Sequence, residues 1–515
     1  MAAPEKIGLG LFVAALAVFL WAFGTSSYRL TPEVVRQSIP DTAHYARLEP
    51  ALRPLLGKQY PSNFAFVGDV KGAINRVNDR LEDQGQWDQV IYNDYTFPLT
   101  KNAGSGILIR NPWLWFSLIF GLAVAGGLLY AGSRYGRQPA GIHNNGIFFR
   151  SLTARGWLGI GLGVFLIGFY VLLYWFPEYI TNWVVLADPL SRALSGNPAS
   201  QWFLYGVLYT LVILVLGVRM ILKYRHSRYQ MLRTGSVMFF QTAFAFLIPE
   251  ILVLLHQPWY DFKNIWPLDY DFFYSYNLDQ LVQSGSFGLF MLMWGILLIV
   301  VAVPVITYFY GKRWYCSWVC GCGGLAETLG DPYRQLSDKS LKAWKVERWT
   351  VHGVLVFAVL MTVITLVNYF SDYQLLGGLT GGVQKTYGFV IGAGFAGVVG
   401  TGFYPFMGSR VWCRFGCPLA AYLGLVQRFK SRFRITTNGG QCISCGNCST
   451  YCEMGIDVRW YAQRGQNIVR SSCVGCGICS AVCPRGVLKL ENGPGAGRTD
   501  APPILIGSTS VRLND

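Results

Sequence analysis

Two cysteine runs near the end of the chain constrain its fold more than any other feature. The first run reads Cys442-x2-Cys445-x2-Cys448-x3-Cys452, and the second reads Cys473-x2-Cys476-x2-Cys479-x3-Cys483-Pro484. In runs of this spacing, three close thiolates hold one iron–sulfur cluster and the fourth cysteine reaches the other cluster. The spacing therefore predicts a small ferredoxin-like α+β module whose loops wrap two 4Fe-4S clusters.

We predict that each cluster takes its ligands from both runs. The ligands of one cluster are Cys442, Cys445, Cys448 and Cys483, and those of the other are Cys473, Cys476, Cys479 and Cys452. Zinc also binds C-x2-C pairs, but it closes a tetrahedron with four ligands and does not need the x3-Cys-Pro ending. Glu453 stands where the first run could have carried a proline, and we expect it to change a turn and not the ligands.

The composition of the chain predicts a membrane protein. Of its 515 residues, 52% are hydrophobic and only 14% are charged, which is too little charge for an ordinary soluble enzyme. All 13 cysteines lie between Cys316 and Cys483, and thiols at this density suit a reducing compartment. The net charge of +16 fits basic loops facing anionic lipid, so we expect membrane lipid and not nucleic acid as a partner.

Apolar segments predict an all-α membrane part with about eight transmembrane helices. The predicted spans are 7–24, 112–132, 157–176, 202–221, 235–255, 286–309, 350–370 and 387–406. The loops 133–156, 222–234 and 310–349 are rich in Lys and Arg, whereas the alternate loops each carry a single Lys or Arg. By the positive-inside rule, both termini are cytoplasmic in a bacterial inner membrane, and residues 25–110 lie outside.

The predicted domains follow from this topology. They are an N-terminal transmembrane anchor at 1–24, an extracytoplasmic helical segment at 25–110, helices 2–6 within 111–310, a repeat region with helices 7 and 8 at 311–430, the ferredoxin-like module at 431–492 and a tail at 493–515. Within the extracytoplasmic segment, Val70, Ile74, Val77 and Leu81 fall on one face of a predicted amphipathic helix.

The region 311–430 contains a second pair of cysteine motifs. They read Gly311-Lys-Arg313-Trp-Tyr-Cys316-Ser-Trp-Val-Cys320 and Gly408-Ser-Arg410-Val-Trp-Cys413-Arg-Phe-Gly-Cys417-Pro418. Each follows a span that runs in the same predicted direction, so the repeat suggests a pseudo-two-fold axis along the membrane normal. If the motifs are helical, cysteines four apart share one face, and four thiols would converge at the inner membrane boundary.

Three interpretations of these four thiols stay open. They could bind a third iron–sulfur cluster, they could bind Cu(I) or form a thiol–disulfide couple, or they could be small buried residues that only pack. Cys322 is an additional thiol that could serve as an auxiliary ligand.

Glu250 is the notable carboxyl group inside a predicted span, and His256 follows it toward the outer face. A carboxyl group in a bilayer normally has a partner and often handles protons, so this pair is a candidate quinone and proton site. Of the histidines near spans, His256 and His352 lie at opposite predicted leaflets. A haem with two axial histidines is therefore not expected, because both imidazoles must meet one iron.

Residues 286–490, with two C-x3-C motifs and two 4Fe-4S runs, resemble the NosR/NapH group of membrane-bound polyferredoxins and, more distantly, CcoG-type oxidase assembly proteins. By that resemblance, Cys316, Cys320, Cys413 and Cys417 occupy C-x3-C-Pro positions, although Gly321 replaces the proline of the first copy. Residues 25–110 lack a convincing flavin-attachment motif, so covalent FMN is not implied. The extracytoplasmic domain usual in the CcoG type is not expected either.

The resemblance implies an electron-transfer subunit between the quinone pool, or a cytoplasmic donor, and an extracytoplasmic reductase or other respiratory subunits. Whether such a subunit itself oxidises quinol stays open at this point. The alternative function is copper handling, or an assembly or redox-sensing role for a separate respiratory enzyme.

Overall fold

The computed structural model describes residues 2–142, 146–372 and 374–493 and the strands 504–506 and 509–511. Seven of the described helices are long and apolar enough to cross a membrane. They are Ala3–Ala22, Pro112–Arg137, Trp157–Trp175, Gln201–Lys223, Arg228–Leu254, Gly285–Tyr310 and Leu341–Phe370. They match the first seven predicted spans, so the helical, multi-pass character of the chain is confirmed.

The eighth predicted span, 387–406, is helical but does not belong to these seven. Helix Gly377–Tyr387 continues through the π-helical turns of Gly388–Val399 into Gly400–Gly402 and Tyr404–Met407. The helix is interrupted at Phe403, which lies between the last two of these segments with a non-helical backbone. The count of eight and the cytoplasmic side therefore stay predictions.

The first of two compact units comprises Met1–Ser133 and Val171–Leu208. Besides its membrane helices, it contains helices Pro32–Ser38, Thr42–Leu52, Asn63–Asp83, Thr96–Ala103, Ile107–Arg110 and Thr181–Ser195. Strand Ser27–Arg29 lies between Gln59–Tyr60 and Gly104–Ser105 in an antiparallel sheet. The predicted helical segment thus also has a small sheet.

The core of this unit uses the predicted amphipathic face. Val70, Ile74 and Val77 are buried, because apolar residues at helical spacing turn one side of helix Asn63–Asp83 inward. Lys101 Nζ lies 2.8 Å from Asp188 Oδ1. This ion pair joins the segment to helix Thr181–Ser195, which comes from a loop predicted to lie on the same side of the membrane.

The second unit comprises Arg134–Tyr170 and Tyr209–Asp515. Its shorter helices are Ser275–Gln283, Arg313–Cys316, Gly321–Thr328, Val411–Phe415, Pro418–Lys430, Asn447–Thr450, Val458–Gln463 and Ile478–Ala481. In the ferredoxin-like module, strand Arg434–Thr437 pairs antiparallel with Leu488–Glu491, and Ile435 lies opposite Leu490.

The basic loops of this unit contact one another and the ferredoxin-like module. The backbone N–H of Gly141 donates to Lys223 O at 2.7 Å, and His226 Nε2 lies 3.3 Å from Ala481 O. Arg155 Nε donates to Phe406 O at 2.8 Å. This arrangement supports the prediction that these loops and the module lie on the same side of the membrane.

The loop 256–285 folds back among the membrane helices. Tyr260 OH donates to Met291 O at 3.0 Å, and Trp266 Nε1 donates to Thr362 Oγ1 at 2.9 Å. Tyr274 is buried in the same apolar cluster as Cys316. The loop therefore forms part of the helix packing beside the first C-x3-C motif.

Candidate iron–sulfur site

The two cysteine runs have the same backbone geometry. Gly446 (φ 80°) and Gly477 (φ 74°) are left-handed and begin the short helices of their runs. Two residues earlier, Ser444 (φ 58°) and Gly475 (φ 62°) are left-handed as well. Repeated left-handed residues reverse the direction of the chain at each step, which lets successive cysteines of one run face the same cavity.

The cysteines divide between two cavities. Cys442, Cys445, Cys448 and Cys483 line the first cavity, and Cys452, Cys473, Cys476 and Cys479 line the second. These groups coincide with the predicted ligand sets. Four thiols around one cavity are the donor set of a 4Fe-4S cluster, so the residues present fit that cofactor, and ligation itself remains a prediction.

The two cavities differ in their access to solvent. Cys445 is exposed at the first cavity, whereas Cys473 and Cys479 at the second are each 7% exposed. Burial raises the pKa of the free Cys473 thiol to about 11. The first cavity therefore borders solvent, and the second lies inside the unit.

The second run is held by hydrogen bonds from residues outside the ferredoxin-like module. Ser317 Oγ donates to Val474 O (2.8 Å), Tyr229 OH to Gly475 O (2.7 Å), Gln230 Nε2 to Cys476 O (2.8 Å) and Gln427 Nε2 to Cys473 O (2.8 Å). Because four consecutive carbonyls are bound in this way, the second cavity is fixed relative to the helices that carry the C-x3-C motifs.

The C-x3-C motifs also form a structural repeat. Gly311 (φ 66°, ψ 177°) and Gly408 (φ 92°, ψ 173°) end the preceding helices in a conformation essentially restricted to glycine. Short helices follow, Arg313–Cys316 in the first copy and Val411–Phe415 in the second.

Neither motif is one continuous helix, so the expected shared helical face is not how the thiols meet. Cys320 is extended and begins helix Gly321–Thr328, and Cys417 is extended and begins helix Pro418–Lys430. Their N–H groups donate five residues back, at 2.8 Å and 2.9 Å. The helix is interrupted between the two cysteines of each copy.

The four thiols nonetheless act on one another electrostatically. All four are buried in one apolar cluster, and burial raises the pKa of Cys417, with further contributions from Cys413, Cys320 and Cys316. Burial likewise raises the pKa of Cys316 to about 12, against the charge of Lys312. We call this group the boundary thiols.

Cys322 adds a fifth thiol to the boundary thiols. A hydrogen bond from its thiol lowers the pKa of Cys320 to about 6, and the same bond raises the pKa of Cys322. The group therefore offers one thiol more than a cubane cluster needs.

Gly321, which replaces the proline of the second copy, is closely packed. A Cβ atom here would lie 2.4 Å from the hydroxyl oxygen of Tyr209 and 2.9 Å from Gln241 Oε1. The departure from Pro418 thus has a steric reason.

Buried charges connect the boundary thiols with the second cavity. Arg410 Nη1 donates to Cys316 O at 3.1 Å and to Cys413 Sγ at 3.7 Å, and Arg410 Nε lies 3.0 Å from Glu453 Oε1. Carboxylate oxygens of Glu453 and Glu327 lie within 4.8 Å of Cys476 Sγ and of each other. Since both carboxylates bind arginines, they are not free to act as metal ligands.

The network extends further into the unit. Its cations are Arg219, Lys223, Arg233, Arg334 and Arg410, and its carboxylates are Glu327, Asp331 and Glu453. Five cations and three carboxylates leave a net charge of +2. We call this set the arginine network.

Sequence reasoning missed the arginine network. Lys223, Arg233 and Arg334 count as loop cations in the topology argument, but they are ion-paired inside the unit. Glu453 does more than alter a turn, because it binds Arg334 and Arg410. The sequence signal that could have indicated the arginine network is Glu453 itself, an acidic residue that follows Cys452 where the second run has Pro484.

Glu250 and His256 lie in and just after the last part of a membrane helix. Glu250 is half-buried in helix Ile248–Leu254, and His256 is exposed just beyond that helix with φ 56°. The proposed quinone and proton site at this pair stays a prediction.

Two family models match the residues described above. A 4Fe-4S binding domain matches residues 292–340 and again 387–436, so it covers each C-x3-C motif once. A 4Fe-4S dicluster domain matches residues 441–488, which hold both cysteine runs. The fold and these matches define a protein that has 4Fe-4S ferredoxin-type domains and several apolar helices.

Two relatives carry the comparison further. The chain is 28% identical over 174 residues to "Putative electron transport protein YccM" of Escherichia coli K12, covering 32% of this chain and 47% of YccM. It is 30% identical over 160 residues to "Methylamine utilization ferredoxin-type protein MauN" of Paracoccus denitrificans, covering 30% of this chain and 53% of MauN. The chain thus spans about half the length of these relatives. No solved structure matches the chain significantly.

Proposed function

We propose that the chain relays single electrons through iron–sulfur clusters in a bacterial inner membrane, with both termini in the cytoplasm. It would connect the quinone pool or a cytoplasmic donor with another respiratory subunit or an extracytoplasmic reductase, as in the NosR/NapH group. The two relatives support this proposal, because their names describe electron transport and a ferredoxin-type protein.

The observation that carries the proposal is the succession of three thiol groups within one unit. Cys448 of the first cavity contributes to the raised pKa of Cys479 in the second. The charge of Lys312 acts on Cys473 of the second cavity and on Cys316 of the boundary thiols. The succession supports a path from a solvent-exposed cluster, through a buried one, to the boundary thiols. In such a path the clusters supply the redox chemistry, and the protein supplies position and electrostatics.

We propose a third iron–sulfur cluster at Cys316, Cys320, Cys413 and Cys417. These four buried thiols, which act on one another electrostatically, would supply its donor set, and the double match to a 4Fe-4S binding domain favours it. A cluster with four thiolates carries negative charge, so the net positive arginine network would stabilise it in a site from which water is excluded.

The alternative, copper handling or an assembly or redox-sensing role, is favoured by one observation. Cys322 gives the boundary thiols a fifth member that is hydrogen-bonded to Cys320. Soft thiolates bind Cu(I), and a close thiol pair can form a disulfide.

Iron and acid-labile sulfide analysis of anaerobically purified protein, combined with EPR after reduction, tests the proposal. We expect about eight iron atoms from the two ferredoxin clusters or about twelve with a third, together with reduction by a quinol at turnover-competent rates. Zinc or no metal in the cysteine runs would reject the relay. Stoichiometric copper at the boundary thiols with no quinol reaction would favour the alternative.

A further inference from the structure

A large cavity lies where the membrane helices meet the ferredoxin-like module. Its volume is about 980 Å³, near the upper end of the range for small-molecule sites. Helices Arg228–Leu254 and Gly285–Tyr310 contribute Phe240 and Tyr310 to its wall. We call it the junction cavity.

The junction cavity shares a wall with each ferredoxin cavity. Cys483 lines both the junction cavity and the first cluster cavity, and Gly477 lines both the junction cavity and the second. Gly477 has no side chain, and a Cβ atom there would lie 2.8 Å from the ring of Tyr229. A bound molecule would therefore be separated from each predicted cluster by one thiolate or one stretch of backbone.

The aromatic part of the cavity wall is held in place by hydrogen bonds. Tyr229 OH donates to Gly475 O at 2.7 Å and accepts from Trp318 Nε1 at 3.3 Å. Ser236 Oγ donates to Trp318 O at 2.9 Å. Trp314 completes an aromatic surface that suits a planar ring.

The chemistry of the wall changes along the cavity. Phe240 and Tyr310 lie on apolar helices, and Tyr310 is 51% exposed, so an apolar tail could extend toward lipid. His226 and Lys489 lie at the ferredoxin end, where they offer hydrogen bonds to carbonyl or hydroxyl oxygens. A planar polar head on an apolar tail matches this change.

A phospholipid headgroup fits the same surface less well. The guanidinium of Arg313 lies over the rings of Phe433 and Tyr229 at 4.8 Å and 5.6 Å, so it is already engaged. Glu491 adds a carboxylate to the wall close to Lys489 in the strand, and a carboxylate disfavours a phosphate.

We propose that the junction cavity binds a quinone or quinol and exchanges electrons with the ferredoxin-like module, an inference that rests on the proposed function. A quinol would lose two electrons and two protons to become a quinone. The cysteines of the two ferredoxin cavities would hold two one-electron clusters, which would supply acceptors for the two electrons, and the protons would pass to water at the cavity mouth or to His226. This location differs from Glu250 and His256.

Direct binding can be tested with a short-tailed azidobenzoquinone, photolysed on the anaerobically purified full chain and mapped by mass spectrometry. We expect labels within 226–240 or 310–319, and decylubiquinone should compete for them. Labels confined to 250–256 would overturn the proposal, and this test does not depend on the redox state of the clusters.

Ala481→Phe fills the cavity beside Cys483 without changing a predicted ligand, because Ala481 lines the cavity. Thr450→Phe is the matched control, since Thr450 holds the equivalent position in the first run and does not line the cavity. We expect Ala481→Phe to weaken decylubiquinone competition and slow cluster reduction by decylubiquinol at least about tenfold, with unchanged iron content and unchanged EPR after dithionite. Thr450→Phe should match the wild type.

The outcomes separate this proposal from the proposed function. Absence of clusters would reject the function itself. Intact, dithionite-reducible clusters with equal quinol reduction in Ala481→Phe and the wild type would overturn only the junction cavity as the quinone site. Loss of co-purified anionic phospholipid in Ala481→Phe, with quinol reduction unchanged, would assign the cavity to lipid and also overturn the proposal.

Discussion

Arg410 and Glu453 form a fully buried ion pair, with Arg410 Nε lying 3.0 Å from Glu453 Oε1. The two residues face different thiol groups. Arg410 reaches Cys413 Sγ at 3.7 Å, and the carboxylate of Glu453 lies within 4.8 Å of Cys476 Sγ. The pair therefore couples the electrostatics of the boundary thiols to those of the second cluster cavity.

Neutral variants of this pair are expected to shift cluster potentials in opposite directions. Arg410→Gln removes a positive charge that stabilises the reduced, more negative state of a nearby cluster, so the midpoint potential of that cluster should fall. Glu453→Gln removes a negative charge, so the potential of the second cluster should rise. EPR-monitored redox titration measures both. Shifts of the same sign in the two variants would contradict this account.

Arg464→Gln is the matched control for the charge change. Arg464 is exposed in the ferredoxin-like module, which also holds Glu453, and lies 4.1 Å over the ring of Trp460. Solvent and salt screen an exposed charge, so its removal should leave the potentials nearly unchanged. An equal shift in Arg464→Gln would mean that net charge, and not the buried pair, sets the potential.

The arginine network should also contribute to stability. Arg410→Gln leaves the carboxylates of Glu327 and Glu453 short of a partner inside the unit. Breaking a buried ion pair by removing one partner typically costs about 3–5 kcal/mol. Thermal unfolding in detergent should show a lower Tm for Arg410→Gln than for Arg464→Gln, and equal Tm values would argue against a structural role.

Gln427 is expected to fix the second cysteine run to the rest of the unit. Its Nε2 donates to Arg470 O and Cys473 O at 2.7 Å and 2.8 Å, and its Oε1 accepts from the N–H of Lys312 at 2.8 Å. Gln427→Leu leaves these buried groups without a partner, at a cost of about 1–3 kcal/mol. We expect a lower Tm and faster loss of cluster absorbance in a chelator.

Gln463→Leu provides the comparison for Gln427→Leu. Gln463 is exposed and donates to Ser444 Oγ at 2.8 Å in the first run. Water replaces such a bond at little cost, so this variant should behave like the wild type. Equal cluster loss in both variants would contradict the role given to Gln427.

The spacing of the cysteines and the local hydropathy predicted most of what positions the site. The seven apolar helices lie where hydropathy placed them, because that signal depends on neighbouring residues alone. The groups of cysteines that line the two cavities coincide with the predicted ligand sets, with Cys483 in the first cavity and Cys452 in the second, because the fourth cysteine of each run crosses over in a known pattern.

The arginine network could not be predicted in the same way. Arg334 and Glu453 are 119 residues apart in the chain, and whether a charge is buried depends on partners that only the fold brings together. The interrupted helix of each C-x3-C motif was missed as well, because helical spacing cannot show that Cys320 and Cys417 are extended.

Asp269 is expected to make stability depend on pH. Burial raises the pKa of its carboxyl group to about 8, the charges of Asp271 and Asp261 add to this, and Lys263 opposes it. Because the folded-state pKa lies above the ordinary value, the folded protein holds this proton more strongly. The stabilisation is therefore full below about pH 4 and is lost as the pH rises through about 8.

Asp269→Asn should flatten this dependence, since an amide does not titrate. The Tm of the wild type should fall more between pH 6 and pH 9 than that of Asp269→Asn. Asp79→Asn changes an exposed carboxylate in the other unit and should keep the wild-type profile. Parallel profiles for the wild type and Asp269→Asn would show that another group controls the dependence.

The boundary thiols yield the sharpest test of cluster number. Cys316→Ser combined with Cys413→Ser removes one thiol from each motif and leaves both ferredoxin cavities intact. If a third cluster is bound, iron should fall from about twelve to about eight atoms per chain, with one EPR component lost. Cys322→Ser is the control because Cys322 lies outside the proposed four-cysteine set, and it should keep the full iron content. If the double variant keeps all its iron while Cys322→Ser abolishes copper binding, the thiols handle copper, and the relay ends at the second ferredoxin cluster.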